Sequence, residues 1–457
     1  MHRREFLKLS AAGCTGALSP NLGSAFAGEE SPIQGPNLKL GIAPISLDIG
    51  PGKTIQTVGY NGSVPGPILR FREGRPVTVD VYNDTDVPEV VHWHGQAIAP
   101  KVDGSVEEGT PAVPPHGHRQ YRFSPNPAGT RWYHTHSMAH ADLTRAGFSG
   151  QYGFAIVEPA RHEGAYDQEI CIAVHQWEPA LGTMGPPDNG WEIMYKSATF
   201  NSKMLGAGDP VRVREGQRVL FRLLNASATD EIRLALPGHQ FRVIAMDGNP
   251  VPRPQTVDVL YLDIGERVDA LVEMKSPGVW VFGAVSDEFR NMGMGVVVEY
   301  ANKSGKAQWQ APANPGRGPW DYAQFSNSQP APEPDHTFEM LIEKIPGNKK
   351  DFNHWTINGK SFPDIEKLRL EKGKRYRLSF NNDSGDIHPI HLHRHIFEIT
   401  QVGDQRMSGL RKDVISVNRR SKAAVDFVAN NPGASLFHCH MQLHMDFGFM
   451  QLFEYAS

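Results

Sequence analysis

The chain has 457 residues, a formal net charge of −4 and 21% charged residues, and no apolar run in it is long enough to span a bilayer. A slight acidic excess gives no electrostatic case for nucleic acid as a partner. With 45 glycines and 35 prolines the composition is that of a turn-rich, mainly β protein, and the length suggests about three domains at roughly 100 to 200 residues each.

In chain order, the segment MHRREFLKLSAAG pairs Arg3-Arg4 with Phe6-Leu7-Lys8 and leads through a weakly apolar stretch to Ala25-Phe26-Ala27, a small-residue cleavage pattern. Residues 1–27 resemble a twin-arginine signal, which implies export by the twin-arginine translocation machinery into a bacterial periplasm. Cleavage would remove three cations and one anion and take the formal charge from −4 to −6. Cys14 falls in this segment and leaves Cys171 and Cys439. Counting alone does not exclude a disulfide between them, but Cys171, in EICIAVHQW, reads as a buried strand residue. Cys439 sits among histidines, where thiolate ligation is the better use.

One pattern occurs three times, in REGRPVTVDVYND, REGQRVLFRLLNA and EKGKRYRLSFNND. Each starts at a glycine (Gly74, Gly216, Gly373), alternates apolar and polar residues, and reaches an asparagine nine positions later (Asn83, Asn225, Asn382). That alternation predicts a half-buried strand. A second asparagine followed by a small residue precedes each glycine: Asn61-Gly62, Asn201-Ser202 and Asn358-Gly359. The glycines are 142 and 157 residues apart, so the repeat is domain-sized, and three β-sandwich domains are expected. The first is placed at 38–160, the second at 161–300 and the third at 335–457, with the Pro-, Gly- and Asn-rich stretch 301–334 as a surface-crossing linker.

Histidines cluster in HWHG (His92, His94), HTH (His134, His136), HPIHLHRH (His388, His391, His393, His395) and HCHMQLHM (His438, His440, His444 around Cys439). In a strand, His-X-His places both rings on one face about 6 to 7 Å apart, which suits two ligands of a shared metal cluster. Two imidazoles with one thiolate favour copper among the common metals and mark a blue copper site. Two clusters fall in the first repeat and two in the third, so those repeats are expected to face each other and pool them.

Through HWHG, HTH, HPIHLH and HCHMQLH the chain resembles the three-domain multicopper oxidases, the family of laccases and bacterial cuprous oxidases, over essentially its whole length past the signal. The resemblance implies an all-β fold of three cupredoxin-like Greek-key sandwiches and four copper ions. On the matching positions, His388, Cys439 and His444 would hold a type 1 copper, His92 and His391 a type 2 copper, and His94, His134, His136, His393, His438 and His440 a type 3 pair. Cys439 would pass single electrons to its neighbours His438 and His440, and four of them would reduce one dioxygen to water. Asp103, in KVDGS, matches an acidic residue that lies near the type 2 copper in similar enzymes and is assigned proton handling, beside its simpler reading as a turn residue.

His395 lies past the ligand run and is expected to be a hydrogen-bonded structural residue; His116, His118 and His140 are expected on the surface or in packing. Arg394 stands where the family usually has glycine, and Met445 where many bacterial relatives have glutamate, followed here by Asp446. The position ten residues after Cys439, where many relatives place an axial methionine, is Phe449, with Met450 one residue on. Adjacent strand residues point to opposite faces, so Phe449 is expected to occupy the axial position without ligating.

The expected activity is one-electron oxidation of a reducing substrate coupled to four-electron reduction of dioxygen. Because the 14 methionines form no methionine-rich insertion, with Met292 and Met294 close together and Met441, Met445 and Met450 within the last histidine segment, laccase-like oxidation of phenols or aromatic amines is favoured over a metallo-oxidase acting on Cu(I), Fe(II) or Mn(II). A non-catalytic periplasmic copper binder is the rival of a different class. A copper nitrite reductase would share the repeat but lack the histidines flanking the cysteine.

Overall fold

The computed structural model describes residues 33–159, 166–184, 190–316, 319–327, 329–348 and 351–455. Residues 1–27, where an export signal is expected, lie outside them together with Cys14. Among the described residues the protein is all-β: seven sheets carry the chain, and the only α-helices are the short Pro100–Asp103, Asp287–Asn291 and Gln442–Asp446. No helix among them is long and apolar enough to cross a membrane.

The sequence repeat reappears as a structural one. Each patterned stretch becomes a strand that ends on its asparagine: Val77–Asn83, Arg218–Asn225 and Arg375–Asn382. Each pairs in parallel with a long early strand of its own repeat, Asn37–Gly50, Gln168–Trp177 or His336–Ile345. Parallel neighbours require a crossover between sheets, and every repeat is accordingly a two-sheet sandwich. The asparagines explain their own recurrence. The side-chain N–H of Asn83, Asn225 and Asn382 donates to carbonyls of two separate segments, while Oδ1 accepts the backbone N–H two residues on. Asn61, Asn201 and Asn358 take left-handed backbone (φ 51°, 46° and 52°). Each clamps the early strand by accepting from Gly41, Ala173 or Leu341 and donating to Lys39, Cys171 or Glu339. A short amide side chain tolerates that backbone and bonds locally.

The first repeat has its own core around Trp93, Tyr121 and Tyr133. The cores of the second and third merge, and part of the junction comes from 301–334, where Trp320, Tyr322 and Phe325 are buried and the Tyr322 hydroxyl donates to Glu266 (2.9 Å). That stretch is therefore packed into the body over Trp320–Phe325 instead of only crossing its surface. Cys171 is buried where the first and second repeats meet, and no disulfide joins it to Cys439. First and third repeats also touch directly. Gly147 N–H donates to Gln442 Oε1 (2.8 Å), Leu436 N–H to Glu108 Oε1 (2.6 Å), and Arg394 Nε to the Ile98 carbonyl (2.8 Å).

Candidate metal centre

The first-repeat histidines His92, His94 and His134 sit on two antiparallel strands, Val91–His94 and Gly129–Thr135, in a register that sets His92 opposite His134, and His136 follows the end of the second. In the third repeat His388 and His391 sit on His388–Leu392 and His438 on Ser435–Cys439, where His391 faces His438, while His393 and His440 follow directly on the ends of these strands and His444 is on the helix Gln442–Asp446. Bringing the repeats together buries these side chains, except His440 and His444, which are half-buried, and interleaves them: His92 stacks on His393 (ring centroids 3.9 Å apart) and His94 on His391 (3.8 Å). Two glycines let the chain pass this close, Gly95 against the third repeat and Gly104 against the strand Val91–His94 of its own repeat. Gly95 of HWHG has φ 79°, and a Cβ there would press on the Asp413 carboxylate; Gly104 has φ 104°, and a Cβ there would overlap the Val91 carbonyl.

The structure gathers all of the expected ligand residues, and three-residue subsets of them place donor atoms within 4.8 Å of one another. His388 Nδ1, His444 Nδ1 and Cys439 Sγ form one group, with the two ring nitrogens 3.1 Å apart and 3.7 and 3.5 Å from the sulfur. His92, His94, His134, His136, His391, His393, His438 and His440 form the other. The covalent link between the groups runs from Cys439 to the residue on either side of it.

Acceptors that cannot donate fix the ring tautomers. His92 Nδ1 donates to the Asp103 carbonyl (2.9 Å), His134 Nδ1 to the Thr135 carbonyl (2.7 Å), His391 Nδ1 to the Asp413 carbonyl (2.6 Å) and His438 Nδ1 to the Cys439 carbonyl (2.8 Å). Each leaves an Nε2 lone pair turned inward. His94 is reversed: its Nε2 donates to Asp413 (3.1 Å) and its Nδ1 faces His134. Nε2 of His92, His391 and His440 is buried without a partner among the described residues, a cost that a bound cation removes. Burial holds His94, His134, His136, His391, His393, His440 and His444 well below the ordinary imidazole pKa, and lowers His388 to about 4 and His438 to about 3. Neutral imidazoles, inward lone pairs and one soft sulfur fit copper.

Asp103 is fully buried and accepts from His393 Nδ1 (2.9 Å), with the His92 nitrogen 3.2 Å from the same oxygen. The turn after it is real, but the carboxylate is aimed at the cluster. Glu108, whose Oε2 lies 3.5 Å from His393 Nδ1, joins it; burial, then the Asp103 charge, push its carboxyl well above the usual range. Sequence reasoning missed Glu108 and also Asp413, which is fully buried and takes a bidentate pair from Arg267 (both 2.6 Å) plus Arg131 (3.2 Å). The one signal for Asp413 was a charged pair, Lys412-Asp413, entering an apolar strand.

His395 bonds the His393 carbonyl (3.0 Å) and the Tyr455 hydroxyl (2.8 Å), away from both groups. His116, His118 and His140 are exposed, the first two beside Asp86 and Asp80. Arg394 keeps the left-handed backbone (φ 63°) that glycine adopts freely, and its buried guanidinium donates to the carbonyls of Ile98, Asn431, Pro432 and Ala434. Phe449 is buried with its ring 4.9 Å from that of His388, and its carbonyl accepts from Cys439 N–H (3.2 Å). Met450 pairs in register with His438 and packs with Leu436, Met445 and Leu452 on the other face.

Three sandwiches whose first and third members pool imidazoles around one thiolate define a copper-binding oxidoreductase. Three models of the multicopper oxidase family match residues 44–162, 180–303 and 336–457, and the chain belongs to that family. It is similar to multicopper oxidase MmcO of Mycobacterium tuberculosis, 28% identical over 90% of this chain and 85% of the relative. Copper resistance protein A of Pseudomonas syringae is 24% identical over 98% of each chain. The crystal structure of a multicopper oxidase from Pseudomonas thermotolerans superposes with a TM-score of 0.72 at 26% identity, covering 93% of this chain and all of that one. The protein is an oxidoreductase that uses dioxygen, and the family implies copper as its cofactor.

Proposed function

We propose that the protein is a periplasmic, laccase-like oxidase that holds four coppers and takes single electrons from phenols or aromatic amines, reducing dioxygen to water. The observation that carries this reading is the convergence of ten histidines and one cysteine, donor atoms inward, between the first and third repeats. Copper bound there supplies a one-electron acceptor at His388, Cys439 and His444 and a dioxygen-reducing cluster: His92 and His391 for type 2, and His94, His134, His136, His393, His438 and His440 for the type 3 pair. The rest is done by the chain. Cys439 and the backbone to His438 and His440 would carry electrons inward, Asp103 orients His393 and serves proton traffic, and the Phe449 ring beside His388 would offer the copper there no donor atom. His444, a half-buried ligand of the electron-accepting group, is stacked by Trp355 at 3.8 Å, so it is the edge at which substrate electrons enter.

An organic reductant is favoured over a metal ion by the state of Asp386, the carboxylate acting on His444. It is committed to Lys344 (3.2 Å) and to the Trp355 N–H (3.1 Å), which leaves little charge for docking a cation. Export through the twin-arginine route follows from residues 1–27. Oxygen uptake by the copper-loaded protein with a phenol, Cu(I) and Fe(II) under one set of conditions tests the reading. The phenol is expected to give the highest kcat/KM, and Cys439→Ser to lose both uptake and blue colour. A dominant metal-ion activity would replace the substrate assignment, and no uptake with any of the three would leave a copper binder.

A further inference from the structure

Beside the histidine cluster lies a cavity that offers about 30 Å³ to water centres, walled by His134, His136, His438 and His440. That is room for about two waters. Trp132 Nε1, Ser227 Oγ, the Tyr152 hydroxyl and His440 Nε2 belong to lining residues and have no partner among the described residues, so the site is polar enough to hold them. Reducing one dioxygen with four electrons consumes four protons and yields two waters, so the cluster needs a proton donor on this side. The wall residue after His444 cannot serve, because Met445 is apolar. Asp446 next to it is tied down by three N–H donors, Ala139 (2.9 Å), His140 (2.7 Å) and Gln442 Nε2 (2.8 Å), none of which relays a proton.

We infer that Glu89 is the carboxyl that supplies protons to this cavity, passing them through the Thr135 hydroxyl and recovering them from solvent through Ser137. Glu89 sits three residues before His92, its backbone pinned in both directions to Val113 (3.0 and 2.7 Å). Its Oε2 accepts from Thr135 Oγ1 (3.1 Å), Ser137 Oγ (3.2 Å) and Gln151 Nε2 (3.1 Å). Two of these are hydroxyls, which both accept and donate and so can hand a proton on. Thr135 and Gln151 line the cavity, and Thr135 lies between the wall histidines His134 and His136; Ser137 is partly exposed. In each transfer the protonated Glu89 carboxyl gives one proton by way of Thr135 to a cavity water, is left as carboxylate, and takes another from bulk water. The electrons come from the oxidised substrate.

Burial raises the Glu89 pKa above the usual glutamate value, against the lowering effect of its hydrogen bonds and of Arg145. The other titratable group facing it is Tyr60, on the strand Lys53–Tyr60, whose own pKa is pushed well up by burial and then by Glu89. The protonated form is the donor, so turnover should fall as pH rises through the Glu89 pKa.

The inference rests on the oxidase reading, and the test separates the two. In copper-loaded Glu89→Gln, the blue colour and its anaerobic bleaching by substrate should match wild type. Oxygen turnover should fall about 100-fold, within the usual range for a lost general acid, and lose the wild-type alkaline limb. Glu89→Asp should recover part of the rate with a displaced limb. In the copper-free protein, a protonated-carboxyl infrared band that titrates above the ordinary glutamate range should be present in wild type and missing in Glu89→Gln. Wild-type turnover and pH profile in Glu89→Gln, or an infrared band unchanged by it, overturns the assignment. If Glu89→Gln does not fold, a Glu89→Asp pH profile identical to wild type does so. A wild-type protein that bleaches but consumes no oxygen refutes the oxidase reading instead.

Discussion

At the residue scale the type 1 site depends on which of two adjacent side chains faces the sulfur. Met450 is opposite His438 in the pairing of the last strand with Ser435–Cys439, so its side chain shares the face of His438. Phe449, one residue earlier, is on the face of Cys439 and lies against the His388 ring. A phenyl group offers no lone pair, so copper there would have three strong ligands and the oxidised state would lose a donor. Phe449→Met should therefore lower the type 1 potential, and Met450→Leu should leave it nearly unchanged. A redox titration of the blue absorbance ranks the two, and the reverse ranking would mean that Met450 reaches the copper through a shifted register.

At the element scale, the three strand-ending asparagines have the same architectural task but different proximity to the chemistry. Asn382 bonds the carbonyls of Asp386 (2.8 Å) and Asn418 (2.8 Å) and receives the Ser384 N–H (2.9 Å), and the Ser384 hydroxyl in turn contacts His388 Nε2 (2.8 Å). Asn225 makes comparable bonds in a repeat that contributes no ligand. Replacing either with alanine leaves buried carbonyls unpaired and should cost about 2–4 kcal/mol in chemical denaturation. Only Asn382→Ala should also shift the blue absorption band, because it loosens the loop that aims His388. The asparagines could be read in the sequence because their task is local: nine residues from a glycine, at the end of an alternating strand. The histidine pairs could be read for the same reason, since strand periodicity alone puts both rings on one face. Glu108, Asp413 and Arg394 could not, because each acts on segments distant in sequence that only the packed fold brings near. Arg394 also stands at a left-handed position where nothing local calls for a long cation; its role shows only in the carbonyls it reaches on 98 and 431–434.

At the scale of the whole molecule, assembly of the first and third repeats is what makes the ligands ready for metal. Buried against one another, nine of the ten candidate imidazoles have pKa values below the ordinary 6.5. A depressed imidazole pKa means that the unfolded chain binds more protons, so this contribution to stability is fully present above about pH 6.5 and is lost as pH falls. For His388 and His438 the loss is complete only below about 4 and about 3. Near neutral pH, then, the folded metal-free chain already carries these nine imidazoles neutral, and copper has few imidazole protons to displace. The thiol is the opposite case. Burial pushes Cys439 well above the usual thiol range, so it is protonated until metal binds, and the thiolate forms only on loading. Copper binding by wild type should therefore release about one more proton per chain than binding by Cys439→Ser, with that difference constant between about pH 5 and 7. Calorimetric titrations in buffers of different ionisation enthalpy measure the count. A wild-type release that climbs steadily from pH 7 to pH 5 would show that the folded chain holds charged imidazoles, and that the two repeats do not close on each other before the metal arrives.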